Sequence, residues 1–162
     1  MHPYAPPPQR TALCPAKAPA LAPSPQPRSA EGLVLSLTLP GDPRSAAVGR
    51  RAVTAALPLY GLRSRVWPAT LAVAELIAVS AMLTPGRELY LSLRHRDDAL
   101  RLVLWDQHPR HADPGILSLC EVRRRRALWL LAAAVDDWGG EWGVGEAGPP
   151  HQGMRSWVLL PQ

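Results

Sequence analysis

The sequence predicts an α+β fold, a two-layer sandwich in which a mixed or antiparallel sheet is covered on one face by about three helices. Three observations lead there. Segments of period-two alternation mark half-buried strands, above all Leu100, Leu102 and Leu104 set against Arg101, Val103 and Trp105. Helix-length apolar segments stand between them, punctuated by Pro and Gly. The resulting order is strand, helix, helix, strand, strand, helix, strand, strand, which places helices over a sheet. With 162 residues and 47% hydrophobic content, the chain has room for one domain with a real core.

Residues 1–30 are expected to form a disordered, Pro-rich leader, because nine of the 19 prolines fall in this stretch without apolar periodicity. The domain then occupies residues 31–162. Leu33 to Leu39 alternates as a strand and stops at Pro40-Gly41-Asp42-Pro43. Asp42 is placed to cap a helix whose first residue is Pro43 and which runs to about Leu57, with Pro58 and Gly61 beyond it. Trp67-Pro68 opens a second helix to Leu83, apolar on nearly every side and therefore central. Glu88 to Arg94 and Leu100 to Asp106 form a hairpin about a His95–Asp98 turn. A loop from Arg110 to Leu119 precedes a single helix from about Val122 to Trp138, ended by Gly139-Gly140. Glu141 to Val144 and Met154 to Leu160 close the chain as a second hairpin.

Composition narrows the classes of function. The formal charge is +5, but the leader carries +3 of it through Arg10, Lys17 and Arg28, so the domain is only mildly basic. That argues against nucleic acid as a partner. Cys14 and Cys120 are the only cysteines, which suggests neither a disulfide framework nor a thiolate metal site and fits a cytoplasmic protein. The apolar runs Leu71–Leu83 and Ala127–Val135 are shorter than a membrane span of about 20 residues, so no membrane is expected.

Several side chains stand out chemically. Asp106 ends a buried strand where a loop opens, a position that holds a carboxylate rigidly while leaving it accessible to a ligand; the plainer role is capping the turn before Pro109. Glu75 lies inside the apolar helix, where a carboxylate must reach a cavity, meet an arginine or take up a proton. Arg123 to Arg126 lie near the start of the third predicted helix, where positive charge opposes the helix dipole unless an anion or acidic partner offsets it. His108 and His111 flank Pro109 with Asp113 nearby, but no second cluster at ligand spacing accompanies them, so they read as loop histidines and no metal site is predicted.

The element order, the Pro40-Gly41-Asp42-Pro43 turn, Glu75-Leu76-Ile77 in the central helix, the strand ending in Asp106, and Ala134-Val135-Asp136-Asp137-Trp138-Gly139 together resemble the histidine-kinase/Hsp90-like (GHKL) ATPase domains. The closest similarity is to the anti-sigma-factor serine/threonine kinases of actinomycetes, and it covers roughly Leu33 to Pro161. The resemblance implies a Bergerat-like ATPase fold and ATP as cofactor. It further implies a cytoplasmic regulator of transcription that phosphorylates a serine of a partner protein. Glu75 matches the family's catalytic glutamate and Asp106 the aspartate that accepts the adenine amino group. Val79 replaces the Mg²⁺-binding asparagine, and His108 the glycine two residues beyond the aspartate. The two glycines of the phosphate turn are replaced by Arg125 and Ala127, followed by Leu128, which leaves Arg125 and Arg126 to hold phosphate by charge. The implied partner is a sigma-factor-like or STAS-like antagonist, with a homodimer left open. The alternative is a pseudo-kinase scaffold that binds its partner without nucleotide.

Overall fold

A computed structural model describes residues 32–148 and 152–161; the expected leader lies outside them. Five strands form one sheet: β1 (Val34–Pro40), β2 (Glu88–Arg96), β3 (Ala99–Asp106), β4 (Glu141–Glu146) and β5 (Met154–Pro161). Their order is β1-β2-β3-β5-β4, and every neighbouring pair is antiparallel. Four helices complete the fold: α1 (Ser45–Leu59), α2 (Val66–Leu83), α3 (Pro114–Ala127) and α4 (Trp129–Asp137), with a 3₁₀ turn at Arg63–Arg65 before α2. This is the α+β two-layer sandwich the alternation predicts, with an antiparallel sheet and one helix more than expected.

The sheet registers follow directly from the pattern of apolar residues. Leu89, Leu91 and Leu93 on β2 and Leu100, Leu102 and Leu104 on β3 all point to the helical side and are essentially buried. Val158 and Leu160 on β5 join them, with Leu33 and Leu39 at the β1 edge. Each such leucine contributes about 1.5–3 kcal/mol by leaving water. A one-residue slip would turn the whole set outward, so the hydrophobic pattern locks the register. The β2–β3 turn is Asp97-Asp98, both with positive φ (53° and 55°), the backbone a two-residue hairpin needs for its twist.

The helix α2 is the centre of the helical layer. Ala69, Ala72, Val73, Leu76, Ile77 and Ala81 are buried against α1, α4 and the sheet. Arg63–Leu83 is long and apolar enough, by length and composition, to cross a membrane, and half of its most apolar 18 residues are buried inside this fold.

Three local expectations are corrected. Asp42 does not cap a helix beginning at Pro43: α1 starts at Ser45, and the Asp42 carboxylate instead accepts the Arg44 N–H (2.7 Å) and the Arg44 guanidinium (2.7 and 2.9 Å). That hydrogen-bonded pairing lowers the Asp42 pKa to about 2. The predicted loop Arg110–Leu119 is largely helical, because Asp113 caps α3 by accepting from Gly115 N (2.7 Å) and Ile116 N (3.4 Å), with Pro114 in the first helical position. Cys120 is therefore a helix residue. Finally, the single helix expected over Val122–Trp138 is two, broken at Leu128, whose N–H closes on the carbonyls of Arg124 and Arg125 while its side chain enters the core.

Candidate functional site

Asp106 is the last residue of β3, and its side chain points into the helical layer with the leucines that precede it by two and four positions. It is 2% exposed, so its charge requires a partner. The partner is Arg124 of α3. Arg124 Nη1 donates to Asp106 Oδ2 at 2.6 Å and lies 3.1 Å from Ser80 Oγ of α2, and Arg124 is itself 1% exposed. The other carboxylate oxygen accepts the His108 backbone N–H at 3.2 Å. One buried ion pair thus ties together the end of β3, the C-terminal half of α2 and the last turn of α3.

The backbone crowds the same point. Gly153, just before β5, has φ of +99°, and a Cβ there would collide with the Asp106 carbonyl. Only glycine fits on both counts. Two buried polar atoms near the pair have no hydrogen-bond partner among the described residues: Arg124 Nη2 and Ser156 Oγ. Ser156 is a diagonal neighbour of Asp106, because Met154 is its direct partner across β3 and β5.

The other predicted site residues are placed elsewhere. Glu75 is half-buried on α2 and has no hydrogen bond or ion pair among the described residues. It lies five positions from Ser80, about 140° around the helix, so it does not share the face turned to Asp106. Val79 is buried in the apolar core. Arg125 stacks over Trp142 of β4 (5.5 Å to the ring centre) and reaches the Val144 carbonyl at 3.5 Å. Arg126 is exposed, Ala127 packs against the core and Leu128 is part of it. The arginine run occupies the last turn of α3, where positive charge complements the helix dipole, so the expected opposition to that dipole is reversed.

Comparison with known proteins yields little. No family model and no curated protein matches the chain. Among solved structures it is similar to a mycobacterial sensor histidine kinase, MprB, at 21% identity, over 59% of this chain and 73% of that one, with a TM-score of 0.46. The α+β sandwich rests on the sheet and its helices, not on that likeness.

Three features were missed by sequence reasoning. Arg124 is one, although Arg124, Leu128, Leu131 and Val135 repeat at helical spacing and all are buried, which singles out one arginine from the run. A second is the approach of Cys120 Sγ to His111 Nε2, 3.2 Å. The third is a groove of about 620 Å³ on the face of the sheet that one-sided covering leaves open, lined by Tyr90, Arg94, Arg101, Trp105, Arg155 and Trp157. Tyr90 and Trp105 face each other across β2 and β3 with ring centres 5.4 Å apart.

Proposed function

We propose that this domain is a regulatory binding module on a histidine-kinase/Hsp90-like scaffold, one that engages a partner protein without turning over nucleotide. The Arg124–Asp106 pair carries this reading: both oxygens of the carboxylate already accept hydrogen bonds, and a buried guanidinium stands where an adenine amino group would have to approach. Phosphoryl transfer also needs charge stabilisers, and of the described residues that the resemblance assigns to this role only Arg126 is left exposed and unengaged. Val79 has no metal-binding atom, Arg125 is engaged by β4, and Ala127 and Leu128 pack inward. The partner class is that of the resemblance, a sigma-factor-like or STAS-like regulator in the cytoplasm. The exposed ridge of Ile116, Leu119 and Val122 on α3 suits such a partner, since apolar side chains at this spacing form one face of a helix.

A second reading, an ATP-binding regulator with Glu75 as base and Asp106 on adenine, is favoured by one observation. Arg124 Nη2 and Ser156 Oγ are buried without partners, and a polar ligand would satisfy them. Calorimetric titration of ATP, with and without Mg²⁺, into the full chain separates the two. The binding-module reading expects no heat of binding up to millimolar ATP. Micromolar binding that Asp106→Asn abolishes would overturn it in favour of the second.

A further inference from the structure

The helix α3 is unusual in how it is held. Its one buried residue is Arg124, while Ile116, Leu119 and Val122 are turned to solvent. Its inner side is fastened by polar contacts: the Asp113 cap, the Arg124–Asp106 pair, and Cys120 against His111. Cys120 and Arg124 are four residues apart and so share that inner side. His108 completes the group. The Cys120 sulfur and one ring nitrogen from each of His108 and His111 all lie within 4.8 Å of one another, and all three residues are half-buried. The His108 and His111 rings meet edge to face at 5.2 Å.

We propose that His108, His111 and Cys120 form a zinc-class metal site, with three protein ligands and a fourth position open to water. The ligand chemistry suits it, since one thiolate and two imidazoles form a borderline-soft set that prefers Zn²⁺ to Mg²⁺ or Ca²⁺. The spacing suits it as well. Tetrahedral zinc holds sulfur and nitrogen about 3.6 Å apart and two nitrogens about 3.3 Å apart, so the Cys120–His111 pair at 3.2 Å would widen slightly while the other separations close by at most about 1.5 Å. The His108 ring is already held, because its Nδ1 lies 3.0 Å from the Pro109 carbonyl, an acceptor; with Nδ1 donating there, Nε2 is the ring nitrogen left to ligate. Asp113 is not a ligand, being committed to the α3 cap. Binding replaces the thiol proton by the metal and releases that proton to solvent.

The consequence reaches the Asp106 pair. The loop that carries His108 leaves directly from Asp106, and Cys120 lies one turn before Arg124. A metal bridging them would fasten α3 down with Arg124 against Asp106; this consequence rests on the binding-module reading, whereas the metal site does not.

Titration of Co²⁺ and of Zn²⁺ alone into the full-length protein tests the site without nucleotide. One equivalent of Co²⁺ is expected to give a thiolate-to-cobalt charge-transfer band with tetrahedral-type visible absorption, displaced by Zn²⁺. Cys120→Ser is expected to abolish the band, and His111→Ala to weaken Zn²⁺ binding at least tenfold, while Cys14→Ser changes neither. A band that survives Cys120→Ser, disappears in Cys14→Ser, or never forms would overturn the site. Amide exchange over Cys120–Leu128 separately reads the consequence: slower exchange with Zn²⁺ in the native chain but not in Cys120→Ser is expected, and exchange indifferent to Zn²⁺ would overturn the coupling.

Discussion

At the scale of single residues, the Arg124–Asp106 pair concentrates most of the chemistry. Two charges taken out of water gain little net stability from each other, yet removing one leaves the other buried and uncompensated. Arg124→Met is therefore expected to lower the free energy of unfolding by about 3–5 kcal/mol. The double variant Asp106→Leu/Arg124→Met should regain most of that loss, because neither charge then remains. Urea unfolding of the two variants decides it; a single variant as stable as the double would show that the pair is not coupled. Such a pair is weak support for stability but strong support for position, since it brings β3, α2 and α3 to a single point.

At the scale of elements, α1 and α2 pack closely because Gly49 has no side chain. A Cβ at Gly49 would lie 2.4 Å from Ile77 Cδ1 and 2.8 Å from Val73 Cγ1. Alanine is a better helix former by about 1 kcal/mol, but forcing two buried branched side chains of α2 to move costs about 1–3 kcal/mol. Gly49→Ala is thus expected to be neutral to destabilising by about 2 kcal/mol, read from its thermal midpoint. A clear rise in that midpoint would mean the two helices have room between them. The helix α3 is the opposite case. It has one buried side chain, an arginine, so it depends on its cap and its polar contacts where α2 depends on apolar burial.

At the scale of the whole molecule, the described residues cover the sheet on one side only. Across its open face the rows run Thr38–Tyr90–Trp105–Arg155, Ser36–Ser92–Val103–Trp157 and Val34–Arg94–Arg101–Leu159. Arg94 and Arg101 are exposed and directly opposite, and no ion pair joins either to a described residue. Like charges in that position are unfavourable. Arg101→Thr should stabilise the fold by about 0.5 kcal/mol at low ionic strength, and by less in high salt, which urea midpoints at two salt concentrations will show. An equal gain at both would assign the effect to strand propensity instead of charge.

The alternation of Leu100, Leu102 and Leu104, the Pro and Gly punctuation and the all-round apolar α2 determined the strands, the central helix and the two-layer class by themselves, because these depend on local period and turn chemistry. The inward direction of Asp106 was legible from the same alternation, but its carboxylate, expected to stay accessible to a ligand, is 2% exposed. Its partner was not legible. Four consecutive arginines look alike until the break at Leu128 sets the rotation of α3, and only that rotation turns Arg124 inward while Arg125 and Arg126 face β4 and solvent. The meeting of Cys120 with His111 has the same cause: a cap at Asp113 starts the helix early and carries the thiol back over the loop it has just left. Local patterns thus decided which elements form. Packing decided which face each one shows, since a helix's rotation is chosen by what it buries.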